Sequence, residues 1–262
     1  MKLSILMPVY NEEVRLGEAL KQSLSVEYPC DVELVVVNDG SQDQTAEILD
    51  ACDDPRVRAV HHPKNLGKGA AIRTAVSSAD GDYMVILDAD LEYDPKDIPR
   101  LLQPVLDGKA AVVYGNRTFG GHAAYSFWYV MGNKGVTLAA NVMFNSYIGD
   151  LETCYKLMPL ELYRSLNVKA RGFGMEAEVT GKLLRRKIRP YEIPISYTAR
   201  TREEGKKITW KDGVEALWIL FRERLRPIKA ASGVPFPRAH SPRPTGEQQQ
   251  PQKAESSDRS RA

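Results

Sequence analysis

Apolar residues are distributed along this chain in two different rhythms. Up to about residue 115, short, mostly apolar runs alternate with longer stretches of helical period. Leu3–Met7, Val32–Val37, Arg56–Val60, Tyr83–Leu87 and Ala110–Tyr114 have strand length, and the first, second and fourth stop abruptly at Pro8, Asn38 and Asp88. Between them, Val14–Ser25, a segment capped by Ser41 with apolar Ala46, Ile48 and Leu49, and Lys68–Ser78 read as helices. Continuous apolar strands separated by helices predict an α/β fold with a mostly parallel central sheet flanked by helices. Each parallel connection needs a crossover, and the crossovers bury both faces of the sheet.

The second half is less regular. Tyr125–Tyr147 reads as an aromatic-rich helix, Leu151–Leu157 as a strand and Glu176–Arg186 as a helix. Pro190–Ser196 alternates like an edge strand. Lys211–Arg226 is a helix with Val214, Leu217, Trp218, Phe221 and Leu225 on one stripe. From 230 to 262 the chain is rich in Pro, Gln, Ser and charge, with little to bury, and is expected to be a disordered tail behind a single domain over 1–229.

Composition narrows the class. With 43% hydrophobic and 27% charged residues, the chain looks like an ordinary soluble domain. Cys30, Cys52 and Cys154 form no Cys-x-x-Cys pair, which argues against a zinc site and a disulfide framework and suits a reducing compartment. No signal-type segment opens the chain. The most apolar stretch, Tyr125–Ile148, is interrupted by Asn133, Lys134 and Asn141, so a cytoplasmic location is expected. Net charge is only +2, yet Lys182–Lys229 holds fourteen Lys/Arg against six Asp/Glu. That excess reads either as a solvated face or as attraction to a membrane leaflet or phosphate; nucleic acid is not expected.

Candidate chemistry lies where strands end, because open parallel sheets bind ligands beyond their carboxyl edges. Three ends carry suitable groups: Pro8-Val9-Tyr10-Asn11-Glu12-Glu13, Asn38-Asp39-Gly40-Ser41-Gln42-Asp43 and Asp88-Ala89-Asp90. Two carboxylates at i and i+2, where a strand unwinds, can reach one hard cation such as Mg²⁺ or Mn²⁺, with a diphosphate completing the shell. Asn65-Leu66-Gly67-Lys68-Gly69 reads equally as an anion-binding helix start and as a cap with packing glycines. Glu176 and Glu178 read either as one carboxylate aimed at a substrate or as acidic residues favoured by a helix dipole. His61 and His62 lack metal-spaced partners and read as strand-end residues.

In this order, Pro8–Glu12, Asn38–Ser41, Asn65–Gly69 and Asp88–Asp90 resemble family 2 glycosyltransferases over roughly the first 120 residues. The resemblance implies a GT-A fold, a divalent metal, a nucleotide-sugar donor and inversion at the anomeric carbon. It implies donor contacts from Pro8, Tyr10, Glu12, Lys68 and Ala89. Asp39 is then expected at the base or ribose, Asp88 at the donor sugar or diphosphate, and Asp90 on the metal with Asp88 beside it. Asn38 stands where many members carry a second aspartate. On this reading residues 1–120 bind the donor and 121–229 the acceptor.

Gly115-Asn116-Arg117, Asp150–Lys156 and Arg202–Lys207 resemble dolichol- or polyprenyl-phosphate sugar synthases. That resemblance implies an acceptor-phosphate contact for Arg117 and a clamp on the diphosphate or the acceptor from Arg202 and Lys206, while Glu176 stands as a candidate acid–base group for a hydroxyl acceptor. A polyprenyl chain, at about 0.8 kcal/mol per buried CH₂, stays in the bilayer, so the enzyme is expected at the membrane surface. Tyr125–Phe144 and the stripe on Lys211–Arg226 are the candidate docking segments; core packing or a homo-oligomer explains the same stripes. The rival functions are transfer to a soluble hydroxyl acceptor and non-catalytic nucleotide-sugar binding.

Overall fold

The computed structural model describes residues 1–118, 127–172, 174–199 and 210–227. Seven strands form one sheet: β1 (Lys2–Val9), β2 (Asp31–Asn38), β3 (Val57–His61), β4 (Tyr83–Ile86), β5 (Val113–Asn116), β6 (Lys156–Pro159) and β7 (Tyr191–Pro194). Their spatial order is β3-β2-β1-β4-β6-β5-β7. β3, β2, β1 and β4 are mutually parallel, β5 and β7 are parallel, and only β6 runs against its neighbours.

The helices are α1 (Leu16–Ser25), α2 (Thr45–Asp50), α3 (Lys68–Ser78), α4 (Ile98–Leu106), α5 (Phe127–Phe144), α6 (Leu160–Leu166), α7 (Met175–Arg185) and α8 (Trp210–Leu225). The apolar runs of β1, β2 and β4 become the centre of the main core, with Leu3, Leu6, Met7, Val35, Val36, Val37, Met84, Val85 and Ile86 all fully buried. A second, smaller core joins α5, α7 and α8 through Val136, Ala140, Ala177, Leu184, Ala216, Ile219 and Leu220. No helix among the described residues is long and apolar enough to cross a membrane.

Several expectations need correction. Ser41 does not cap α2; the helix starts at Thr45, and Ser41 Oγ instead accepts the Asn11 backbone N–H at 3.0 Å. Only the end of Leu151–Leu157 is a strand, since β6 begins at Lys156. The fully buried Lys156 Nζ donates to the carbonyls of Leu151 at 2.7 Å and Thr153 at 2.6 Å, which bends that segment into a turn. Ala110 and Ala111 precede β5 rather than joining it.

The stripe read on α8 faces outward. Val214, Leu217, Trp218, Phe221 and Leu225 are exposed, while Ala216, Ile219, Leu220 and Glu223 face the protein. Buried Glu223 is compensated by Arg185 and Arg226, so a charged position sits on the inner face and masks its period. Helices α4 and α6 have no counterpart in the sequence reading. In α4, Pro99 lies in the first turn, where a missing N–H is harmless, but Pro104 lies inside the helix and reads as a breaker. The expected tail falls outside the described residues.

Candidate active site

Because β1, β2 and β4 are adjacent and parallel, the segments that follow them open on one edge of the sheet. The first two are fastened to each other. Asn11, at φ 53°, gives its N–H to Ser41 Oγ, and its Oδ1 accepts the Gln42 N–H at 2.8 Å. Glu13 N donates to Asp43 Oδ2 at 3.1 Å, and Glu13 Oε2 accepts the Gln44 N–H at 3.0 Å. The buried Glu12 gives its N–H to Thr45 Oγ1 at 2.9 Å. Pro8 lies within β1 opposite Val37, and Tyr10 follows it half-buried at the mouth.

Asp39 is 2% exposed and holds the next loop. Its carboxylate accepts the N–H groups of Leu66 at 3.0 Å and Gly67 at 2.8 Å, and its Oδ1 lies 2.7 Å from His62 Nδ1. His62 Nε2 reaches Thr74 Oγ1 at 2.8 Å, so this histidine belongs to the scaffold of the loop rather than to a metal site. At Gly67 the φ is +93°, and a Cβ there would lie 2.4 Å from the Arg171 carbonyl oxygen. At Gly69 a Cβ would lie 2.3 Å from Ala170 O, and its N–H is taken by Arg171 O at 2.7 Å. The start of α3 is therefore packed against protein backbone. The packing reading of these glycines prevails over an anion cradle.

Lys68 turns toward the third strand end. Its Nζ lies 2.8 Å from Asp88 Oδ2 and 3.0 Å from Glu176 Oε1. Burial works against the ammonium charge, but the two carboxylates outweigh it and hold the Lys68 pKa well above its ordinary value. Glu176, in the first turn of α7, is 3% exposed, and its Oε2 is buried with no hydrogen-bond partner among the described residues. Glu178 is occupied elsewhere, accepting from the N–H groups of Lys169 and Ala170 and from Lys182. The structure thus separates the two glutamates that the sequence leaves equivalent.

Ala89 is buried and Asp90 partly exposed. Asp90 Oδ1 accepts the Glu92 N–H at 3.0 Å, and the Glu92 side chain accepts the Tyr197 hydroxyl. Tyr197 in turn lies under the Arg117 guanidinium, 5.0 Å from ring centroid to Cζ. Arg117 is bidentate on the fully buried Asp150, with Nε at 2.7 Å and Nη2 at 2.8 Å. Asn133 of α5 donates to the same carboxylate at 2.9 Å. Burial opposes ionisation of Asp150, but Arg117 overrides it and keeps its pKa below the usual range. Arg202 and Lys206 lie outside the described residues.

Sequence alone does not single out Glu92, Glu152 or Tyr197. For Glu92 a signal is present, since Asp88, Asp90 and Glu92 continue one i, i+2 spacing. For Glu152 the signal is its place within the Asp150–Lys156 segment, and for Tyr197 there is none, because its place depends on how distant segments meet.

Among the described residues, no group of three or more His, Cys, Asp or Glu forms a complete metal site. Asp88 is already balanced by Lys68, while Asp90 offers hard oxygen at the open edge. Such a partial donor set fits Mg²⁺ or Mn²⁺ when a diphosphate supplies further oxygens.

A family model described as "Glycosyl transferase family 2" matches residues 4–166. An undecaprenyl-phosphate 4-deoxy-4-formamido-L-arabinose transferase of Edwardsiella ictaluri is 32% identical over 216 residues, covering 78% of this chain and 62% of that one. A dolichol-phosphate mannosyltransferase of Pyrococcus furiosus is 26% identical over 210 residues, covering 79% and 59%. A Proteus mirabilis transferase with the same name as the first is 37% identical over 112 residues, covering 41% and 34%. The chain spans 34% to 62% of the length of these relatives. Among solved structures, glucosyl-3-phosphoglycerate synthase from Mycobacterium tuberculosis, in complex with Mn²⁺, UDP and glucosyl-3-phosphoglycerate, superposes with TM-score 0.64. It is 20% identical, with 87% of this chain and 81% of that one covered, a likeness of fold. The fold is the GT-A-type α/β arrangement expected from the sequence.

Proposed function

This chain belongs to glycosyl transferase family 2, and from that premise we propose that it moves a hexosyl group, with inversion, from a UDP- or GDP-sugar to a polyprenyl phosphate. The observation that carries this reading is the meeting of two charged groupings near one sheet edge. One is Lys68–Asp88–Glu176 with Asp90, and the other is Arg117–Asp150, joined to the first through Glu92 and Tyr197. The names of the Edwardsiella and Pyrococcus relatives, both referring to polyprenyl-type phosphates, support the acceptor.

Asp90, with Asp88 beside it, is the residue to hold Mg²⁺ or Mn²⁺, whose chemistry there is to neutralise charge on the departing nucleoside diphosphate. Pro8, Tyr10, Glu12, Asp39 and Ala89 shape the donor site from the fastened loops. Lys68 balances Asp88 and Glu176 and presents its ammonium toward the donor diphosphate. Arg117, oriented beforehand by Asp150 and Tyr197, positions the acceptor phosphate, with Arg202 and Lys206 completing the clamp. A phosphate acceptor is anionic at neutral pH, so alignment contributes more than deprotonation. Glu176 is needed as a base only for a hydroxyl acceptor.

The outward faces of α5 and α8 suit a lipid surface. The chain's three tryptophans, Trp128, Trp210 and Trp218, are 79%, 75% and 61% exposed, which is unusual for such large apolar groups. Phe127, Met131, Val142, Phe221 and Leu225 are exposed on the same two helices, together with Lys134, Lys211 and Arg224. Exposed aromatics beside cations match the interface of an anionic leaflet and support the reading of a peripheral protein on the cytoplasmic face.

The test is transfer of radiolabel from nucleotide sugars into organic-phase lipid. Asp90→Asn and Asp88→Asn are expected to lower the rate by roughly 10²–10³-fold, the scale of losing one preorganised electrostatic contact, with the fold retained. Undiminished activity in EDTA rejects the metal role. Label that stays in the aqueous phase selects a soluble acceptor, and absence of both transfer and donor hydrolysis selects a binding module.

A further inference from the structure

Glu152 lies in the turn that Lys156 bends, between the two charged groupings. Its Oε1 is inaccessible to solvent and has no hydrogen-bond partner among the described residues, as is also true of Glu176 Oε2. A buried carboxyl oxygen left unpaired is costly, so two of them in glutamates that feel each other's charge need a reason. The charges that Glu152 feels come from Glu176 on α7, Lys156 on β6, Arg117 after β5, and Asp150 two residues before it. Glu176 also faces Lys68, so Glu152 is joined electrostatically to the donor-side grouping and to Arg117. Lys156 does not quench it, because that ammonium is taken up by the carbonyls of Leu151 and Thr153 and lies 4.4 Å from the Tyr114 ring centroid.

We propose that Glu152 is a specificity residue of this site, pairing with Glu176 to receive hydroxyl groups of the transferred sugar. The missing partners are donors to carboxyl oxygens, and a sugar ring supplies several O–H donors close together. A phosphate at neutral pH supplies almost none, which argues for the sugar over the acceptor headgroup as the ligand. Burial first, and the Glu176 carboxylate second, push the Glu152 pKa up to about 7, consistent with a carboxyl whose charge its surroundings leave uncompensated. The assignment rests on the transferase reading above.

Calorimetry on the full chain with Mn²⁺ tests it, using UDP, GDP, UDP-glucose, UDP-galactose and GDP-mannose as probes. Wild type, Glu152→Gln and Glu152→Leu are compared. Glu152→Leu is expected to leave bare nucleotide affinity within about twofold while weakening the matching nucleotide sugar roughly tenfold or more, as one lost hydrogen bond to a charged group predicts. Glu152→Gln, which keeps the shape and an acceptor oxygen, is expected to recover part of that loss and to alter the preference between sugars. Equal weakening of nucleotide and nucleotide sugar, or an unchanged ratio in Glu152→Leu, overturns the assignment while leaving the transferase reading intact. If wild type binds neither nucleotide, the transferase reading fails and this assignment falls with it.

Discussion

The two sides of the sheet mouth solve the burial of polar groups in opposite ways. On the β1–β2 side, side chains and backbone satisfy one another: Asn11 with Ser41 and Gln42, Glu13 with Asp43 and Gln44, Asp39 with Leu66, Gly67 and His62. On the side built by the 150–156 turn, α5, α7 and α8, buried carboxyl oxygens of Glu152 and Glu176 find no partner among the described residues and tryptophans face outward. The first side is a finished scaffold that presents loops at fixed spacing. The second leaves both polar and apolar groups unmatched, which is what a region built around ligands and a surface looks like.

The sharpest way to break this contrast is Asp150→Asn. Asp150, itself fully buried, lies on the second side yet has a full set of partners, and removing its charge leaves the half-buried Arg117 guanidinium without its counter-charge. Loss of one partner from a buried ion pair costs about 3–5 kcal/mol, so the midpoint of chemical denaturation should fall steeply. A small shift shows that Arg117 simply turns to solvent.

Next in size is the outward face. Trp128→Ala with Trp218→Ala is expected to weaken binding to vesicles containing anionic lipid by about tenfold or more, with vesicle-free sedimentation unchanged. A change in sedimentation coefficient instead assigns the face to a second copy of the chain.

A pH comparison sharpens the Glu152 contrast. Its folded pKa, about 7, lies above the ordinary value of 4.5, so the folded state binds the proton more tightly than the unfolded one. Stability is fully present below about pH 4.5 and is lost as pH rises through about 7. Glu152→Gln removes that loss, so its Tm relative to wild type should be higher at about pH 8 than at about pH 4.5. No change in the difference across that range refutes a proton held there.

The smallest effects contrast glycines. Gly69→Ala on the packed side meets Ala170 O and should cost roughly 1–3 kcal/mol by overpacking. Gly132→Ala in α5 meets nothing within 4 Å among the described residues and should gain about 0.5–1 kcal/mol from helix propensity. Equal effects would mean that the α3 start yields without resistance.

What the amino-acid sequence determines here is local and periodic. Mostly apolar runs specify β1, β2 and β4, because a strand buried on both faces tolerates a polar residue only where it is paired, as buried Ser4 is with Glu33 at 2.6 Å, and α3 appears at its expected bounds. The strand-end motifs mark the site because their polar residues begin where the apolar runs stop. Tertiary structure alone decides which partner each polar group finds. Glu176 goes to Lys68 and Glu178 to Lys182, Arg117 goes to Asp150, and the α8 stripe faces outward while Glu223 turns in. Most of those outcomes depend on contacts between residues tens of positions apart, and no spacing within one segment encodes them.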